Sequence, residues 1–290
     1  MTIPEIVKKK GFAVTSELSP PKGVDCQKVL KLAEDMSCSV DAINVTDGQS
    51  AVMRLGSLPL CHLLMDHGVE PVLQLTCRDR NRIALQAELL NAYTLGIRNV
   101  LCLTGDHIAL GDHPDAKQVY DLDSVSLLWA AQKLNQGHDM HENSLDGATD
   151  LCVGAVVNPS STDIEPQMLK MKRKIKAGAR FFQTQAVFDM SNIEPFVAAA
   201  REAKLPFLIG ILLLKSAKMA QFVNKNVSGI TVPDALVTEL ENSKDSLQTG
   251  IEIAARTIRE ARSICEGVHI MTVGREDLVV EIARQAGLPA

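Results

Sequence analysis

LQLTCRDRNRIALQAELLNAYTLGIRNVLCLTGD, Leu73–Asp106, is the stretch whose reading decides the fold. It begins inside an apolar run, Pro71–Thr76, with the length and composition of a strand buried on both faces. RNRIALQAELLNAYTLG then carries a helical pattern and ends on Gly96, where a helix C-terminus favours positive φ. A second apolar run, Asn99–Thr104, follows within a few residues and gives way to Gly105 and Asp106. The stretch therefore reads strand, helix, strand, with polar residues gathered where each strand ends.

The same unit recurs along the chain. Further candidate strands are Phe12–Leu18, Ala42–Thr46, Leu151–Val157, Arg180–Val187, Pro206–Leu213 and Val268–Val273. DLDSVSLLWAAQKLNQG and IEPQMLKMKRKIKAGA supply helical patterns, the second ending on Gly178. Eight β–α units with no break in composition predict an α/β fold, a single (β/α)8 TIM barrel forming one domain over residues 1–290. Pro233–Glu266 adds a helical segment near the C-terminus, with Lys225–Val232 as its loop. An open doubly wound sheet is the alternative. Asn135–Asp150 and Gly105–Gln118 are the most loop-like stretches. Trp129, at helical spacing among Leu127, Leu128 and Leu134, is expected to pack rather than to stack on a ligand.

Composition narrows the function. At 290 residues and 46% hydrophobic, the chain can bury a large core. A net charge of -5 argues against a nucleic-acid partner, which calls for a basic face. The longest apolar stretch, Phe207–Leu214, is far short of the about 20 residues that span a bilayer. No secretion signal opens the chain, and seven widely spaced cysteines include no C-x-x-C. These features fit a cytoplasmic protein whose Cys77, Cys102 and Cys152 fill core space, with no metal site and no locally encoded iron–sulfur site. G-x-G-x-x-G is absent, and Gly210 with Lys215–Ser216 lacks the glycine of a phosphate loop. The histidines and aspartates of Gly105–Asp115 read as a solvated loop holding one functional acid.

A barrel of this kind builds its active site at the C-terminal ends of its strands. Glu17 stands at such an end, in SELSPPK. So do Thr46, Asp47, Gln74, Thr104, Asp106, Asn158 and Gln183–Gln185. Polar groups at these positions would converge on one face.

Three stretches taken together resemble the methylenetetrahydrofolate reductase family: SELSPPK (Ser16–Lys22), Leu73–Asp106, and KRKIKAGARFFQTQAVFD (Lys172–Asp189). The similarity spans nearly the whole chain and includes the closing HIMTVGR, His269–Arg275. The resemblance implies a barrel holding FAD at its C-terminal mouth and reduction of 5,10-methylenetetrahydrofolate to 5-methyltetrahydrofolate by hydride from the reduced flavin. The substrate's five-membered ring must open to an iminium cation before it accepts hydride, and opening needs a proton on the departing amine nitrogen. A positioned carboxylic acid can supply or relay that proton. Glu17 matches the family's catalytic glutamate. Asp106 matches its aspartate near flavin and folate, where an anion would stabilise the cation. Gln185 matches the pterin-binding glutamine, with Gln183 as the neighbouring alternative. Positions matching the cofactor site are Thr46, Gln74, Leu103, Thr104, Gly105, Asp106, Tyr120, Gly154, Arg173 and Lys174. The last two would face the diphosphate, or else belong to a solvated helix face.

The sequence departs from the family in places. Gln74 stands where many members carry His, Val156 where they carry an aromatic, and IGILLLKS replaces PGILP. Aromatic residues make up 3% of the chain, which leaves few rings to stack on adenine or nicotinamide. FMN is therefore an alternative to FAD. NAD(P)H is the family's default donor, and an electron-transfer partner subunit is the alternative. The resemblance also implies a homo- or hetero-oligomer. Outside the family reading stand a flavin-free lyase or aldolase, with Lys215 as its one tempting lysine, and a non-catalytic barrel scaffold for a partner enzyme.

Overall fold

Parallel strands that must bury both faces close on themselves in this chain. The computed structural model describes residues 1–161, 163–227 and 229–288. Its strands are β1 (Ala13–Leu18), β2 (Ala42–Val45), β3 (Pro71–Thr76), β4 (Asn99–Leu103), β5 (Cys152–Val157), β6 (Phe181–Ala186), β7 (Phe207–Leu212) and β8 (Gly267–Met271). Each pairs in parallel with the next, and β8 pairs back onto β1 through Ala13↔Gly267, Thr15↔His269 and Ser16↔Ile270. The closed barrel is the architecture expected from the β–α repeat, and the open-sheet alternative is excluded. All eight expected strands occur, with ends shifted by at most two residues. The largest shift is at β8, which stops at Met271. Val273 there has φ 49, a left-handed conformation from which a β-branched residue cannot extend a strand.

The helices are α1 (Ile3–Lys10), α2 (Gln27–Met36), α3 (Ser57–Asp66), α4 (Arg82–Thr94), α5 (Ser124–Asn135), α6 (Ile164–Lys176), α7 (Glu194–Glu202), α8 (Ala217–Asn226), α9 (Asp234–Glu241), α10 (Ser246–Ala261) and α11 (Val279–Gln285). Gly96 and Gly178, just past α4 and α6, have φ 92 and 103, as expected of helix-ending glycines. The added segment near the C-terminus resolves into α9 and α10. It is packed by a cluster of its own, which joins Leu212 and Leu214 to Ala220, Val237, Leu240 and Ile253. Its expected loop is shorter than Lys225–Val232, because α8 runs to Asn226; Ser228 lies outside the described residues. Among the described residues no helix is long and apolar enough to cross a membrane.

Alternation along each strand separates two cores. One set of side chains meets the surrounding helices in the main apolar cluster. The other set points inward, where Ala13, Ala42, Val72, Leu101, Cys152, Phe181 and Leu208 fill the N-terminal end of the lumen. Ile3 and Ile6 of α1 cap that end and are fully buried. The N-terminal mouth is thus sealed by packing, and any site must form at the other one. Cys77, Cys102 and Cys152 are free thiols buried in the core, and burial pushes Cys77 and Cys152 up to about 12.

Trp129 does not pack as expected. The residue is 37% exposed and its ring centroid lies 5.5 Å from the Lys133 ammonium, while Leu127, Leu128 and Leu134 are buried. At about 100° per residue, Trp129 stands roughly 200° around α5 from Leu127, on the solvent side. Spacing alone did not fix which arc of the helix faces inward.

Gly154 on β5 faces the lumen directly above Phe181. A Cβ at this position would lie 2.2 Å from Phe181 Cζ, and that ring is fully buried. Gly154→Ala is therefore expected to lower stability by roughly 1–3 kcal/mol through overpacking. Urea unfolding measures the effect, and an unchanged midpoint would show that the ring relocates without cost.

Candidate functional site

Inward positions along β1 are Ala13, Thr15 and Glu17, so Glu17 is the last inward side chain before the strand ends. Its side chain is 14% exposed. Below it lies a layer unlike the apolar one at the barrel floor. Thr15, Asn44, Gln183 and His269 are all buried, and they come from β1, β2, β6 and β8. Asn44 Nδ2 donates to Gln183 Oε1 at 2.9 Å, and Gln183 Nε2 donates to Thr15 Oγ1 at 3.3 Å. Thr15 Oγ1 is 2.9 Å from His269 Nδ1, and His269 Nε2 is 3.7 Å from Glu17 Oε2. Bonds between β2 and β6, which are not neighbours, can only cross the lumen. Buried polar groups are costly unless partnered, and these partner one another.

Loops after β2 and β4 meet across the mouth. Asp106 Oδ2 accepts from the Ser50 N–H at 2.7 Å, and the Asp106 carbonyl accepts from the Tyr120 hydroxyl at 2.8 Å. Ser50 and Ala51 have φ 56 and 58, and a Cβ on Gly111 would lie 1.8 Å from the Ala51 carbonyl oxygen. Lys22 pairs with Asp112, which also accepts from the Met53 N–H. These contacts, Lys22 foremost, hold the Asp112 carboxyl well below the usual carboxylate range. Loops one, two and four are thereby tied together.

Asp47, at the end of β2, is committed to structure. It accepts from the Thr76 N–H and hydroxyl, both at 2.9 Å, and takes a two-pronged ion pair from Arg80 at 2.8 and 3.2 Å. Thr46 is buried, its hydroxyl donating to Ser19 Oγ at 3.1 Å, and Gln74 is buried beside it on β3. Leu103 packs on the lumen cluster. Beyond β4 a cleft of about 590 Å³ opens, lined by Thr104, Gly105, Tyr120, Leu122 and Asp123 among others. A second cavity, about 420 Å³, lies between α4, α5 and the loop at Asp139–Leu145 and contains none of the candidate residues.

The two glutamines of β6 separate cleanly. Gln183 pairs with Leu208, but the next pairing is Ala186 with Gly210, so β6 carries one extra residue. Thr184 Oγ1 fills the irregularity, accepting from the Gly210 N–H at 2.8 Å and donating to the Gln185 carbonyl at 2.6 Å. Bulges of this kind re-aim side chains at functional sites. Gln183 stays buried in the polar layer, and Gln185 is exposed at the strand's C-terminal end.

Arg173 and Lys174 also part company. Arg173 is exposed on α6, whereas Lys174 turns inward and donates to the Val156 carbonyl at 2.6 Å. Glu17 and Gln185 therefore lie near the C-terminal ends of β1 and β6, Thr46 just past β2 and Asp106 in the loop after β4, with Gln74 inward on β3 and the Thr104–Tyr120 cleft beside them. Gly154 and Leu103 lie deeper in the lumen, and Lys174 lies under the helix layer. Sequence reading missed His269 and Asn44. The signal was a histidine and an asparagine inside otherwise apolar strands, GVHIM and AINV.

The family model described as methylenetetrahydrofolate reductase matches residues 2–287. This chain belongs to the methylenetetrahydrofolate reductase family. A probable methylenetetrahydrofolate reductase (NADPH) of Caenorhabditis elegans is 25% identical over 306 residues, which cover 99% of this chain and 44% of that protein. The chain thus spans less than half the length of that relative. The 5,10-methylenetetrahydrofolate reductases of Pectobacterium carotovorum and Escherichia coli are 25% and 24% identical, in each case over 95% of this chain and 90% of the relative. Among solved structures, an uncharacterized Clostridium thermocellum protein described as binding two copies of 5-methyl-5,6,7,8-tetrahydrofolic acid shares 17% identity. It covers 97% of this chain, with 96% of its own length matched and a TM-score of 0.65. A tryptophan synthase structure from M. tuberculosis aligns at 13% identity and TM-score 0.52. At such identities the structural matches show the barrel alone.

Within this reductase-family barrel, Lys174 yields a pH test. Burial, with the Lys170 charge acting in the same direction, pulls its ammonium down from an ordinary 10.5 to about 8. Between these values the unfolded chain binds the extra proton, so stability rises with pH across that window and levels off below about 8. Lys174→Met is expected to flatten the rise. Thermal melts from pH 7 to 10.5 check this, and parallel wild-type and variant curves would contradict it.

Proposed function

We propose that this chain reduces 5,10-methylenetetrahydrofolate to 5-methyltetrahydrofolate at the C-terminal mouth of the barrel, using a bound flavin. The observation that carries the reading is the placement of Glu17. It is a mostly buried carboxyl at the last inward position of β1, at the same mouth as Asp106 and Gln185.

Three features support a flavin at this mouth. The cleft beyond β4 has the volume of a cofactor site. Gly105, with φ 98, lines the cleft while its backbone passes close over the end of β3, where an added Cβ would press within 3.1 Å of Arg78 Cβ. Thr104, Gly105 and Tyr120, which match family cofactor positions, line the cleft. They would hold FAD together with Thr46, Gln74 and the backbone of Leu103 to Asp106; Arg173 is free to turn towards the diphosphate from α6. A bound flavin supplies the hydride. FAD is preferred to FMN on the family match, and NAD(P)H or a partner electron-transfer subunit would reduce it.

The chain's own groups manage the proton and the charge. Glu17 gives a proton to the amine nitrogen that departs as the folate ring opens. The Asp106 carboxylate, held by Ser50, presents fixed negative charge to the resulting iminium cation. Gln185, turned out by the β6 bulge, can both donate to and accept from a pterin edge. The lyase alternative finds little support, because Lys215 is engaged with the Val273 carbonyl at 2.7 Å.

The purified protein is expected to show flavin absorbance that a reductant bleaches and methylenetetrahydrofolate restores. Glu17→Gln should keep the flavin and lose folate reduction by more than ~100-fold. A colourless protein, or near-normal folate turnover in Glu17→Gln, would overturn the reading. Extraction and chromatography of the cofactor distinguish FAD from FMN.

A further inference from the structure

His269 is a buried titratable side chain to which nothing above gives a chemical role. Its ring is gripped at one end and presented at the other. Nδ1 meets Thr15 Oγ1 at 2.9 Å, while Nε2 stands 3.7 Å from Glu17 Oε2. Thr15 is itself fixed, near the Val268 carbonyl at 3.3 Å and receiving Gln183 Nε2 at 3.3 Å. Gln183 is fixed in turn by Asn44 at 2.9 Å. Side chains from β2, β6 and β1 therefore end on one imidazole, and each contact removes a freedom from the next.

An apolar layer would fill this level of the lumen at lower cost, as Ala13, Val72, Leu101 and Phe181 do one level below. The polar layer achieves something an apolar one does not: it orients a ring whose free nitrogen faces the proposed acid. The groups facing that ring are readily named. β1 contributes Thr15 and Glu17, β6 contributes Gln183, and β7 places side-chain-free Gly210 opposite His269 in register. Among the described residues, Glu17 is the one carboxylate paired with it.

We propose that His269 is the positioning residue of Glu17 and shares its proton, an inference that rests on the reductase reading for its chemical meaning. The pair holds one exchangeable proton. With the proton on Oε2, Glu17 is a ready acid; with the proton on Nε2, the ring is an imidazolium beside a carboxylate, and exchange between the two requires the 3.7 Å gap to close to hydrogen-bonding distance. Only the O–H and N–H bonds exchange, no electrons change owner, and the net charge of the pair is the same in both forms. When Glu17 has protonated the departing amine, one proton from solvent at the mouth resets the pair. The Thr15 hydroxyl serves both forms, since it can accept from Nδ1–H while donating to the Val268 carbonyl.

Two substitutions separate this role from packing. His269→Asn places an amide near the Thr15 contact, and His269→Gln places one near Glu17; neither can take up the proton. Both are expected to keep the flavin, its reduction by the electron donor and the folate KM. Both should lower kcat for folate reduction roughly 10- to 100-fold and alter its pH profile. A folded, flavin-replete variant with kcat within about twofold of wild type and an unchanged pH profile overturns the proposal. If neither variant folds, ¹⁵N NMR of the His269 ring in wild type and in Glu17→Gln decides. Its titration midpoint should move by more than roughly half a pH unit, and no movement overturns the proposal. Absence of folate turnover in the wild type would instead count against the reductase reading, and the NMR comparison would still test the coupling.

Discussion

The pairing of β8 back onto β1 is the constraint on which the rest of this molecule depends. Closure sends half of every strand's side chains into a lumen that water cannot fill. At the N-terminal end those side chains are mostly apolar and α1 plugs the opening, its Ile3 N–H donating to Asn99 Oδ1 at 3.0 Å. Two residues further along β1, β2, β6 and β8 they become Thr15, Asn44, Gln183 and His269, and the next inward position of β1 is Glu17. The β1–β8 register also sets Thr15 opposite His269, which brings the histidine beneath the acid. A slip of one residue would turn Glu17 out into the helix layer.

The mouth is shaped by loops that cross-tie. Ser50 and Ala51 adopt left-handed backbone without being glycine, and the Ser50 N–H is bonded to Asp106. Such strain persists where the surroundings over-determine it, and it gathers at functional sites. Here the close approach of Gly111 to Ala51 and the Lys22–Asp112 pair supply the over-determination. The cleft beside β4 is thus framed by three loops locked to one another.

Much of this was legible in the sequence because parallel strands buried on both faces announce themselves as apolar runs. Every strand was found that way, and Glu17, Asp106 and Gln185 were placed at strand ends by the same reading. The residues that escaped were those whose roles are set by non-local geometry. His269 and Asn44 look like lone polar residues in apolar strands until the barrel closes and lets them meet Thr15 and Gln183. Gln185 separates from Gln183 through a one-residue irregularity that no periodicity shows. Lys174 read with Arg173 as a diphosphate-facing charge or else as part of a solvated helix face, yet it reaches inward to the Val156 carbonyl. Trp129 erred in the other direction, because an apolar side chain at helical spacing still has to fall on the buried arc.

The buried polar layer of this barrel therefore lies towards one end of a lumen whose other end is closed mainly by hydrophobic packing, with the Glu17 carboxyl at the threshold. A crystal structure of the flavin-loaded protein with 5-methyltetrahydrofolate tests this most directly. The account requires the pterin in that mouth, within hydrogen-bonding distance of Glu17 and Gln185 and with Asp106 alongside. A pterin seated elsewhere on the barrel, or a mouth filled by the protein's own side chains, would contradict it.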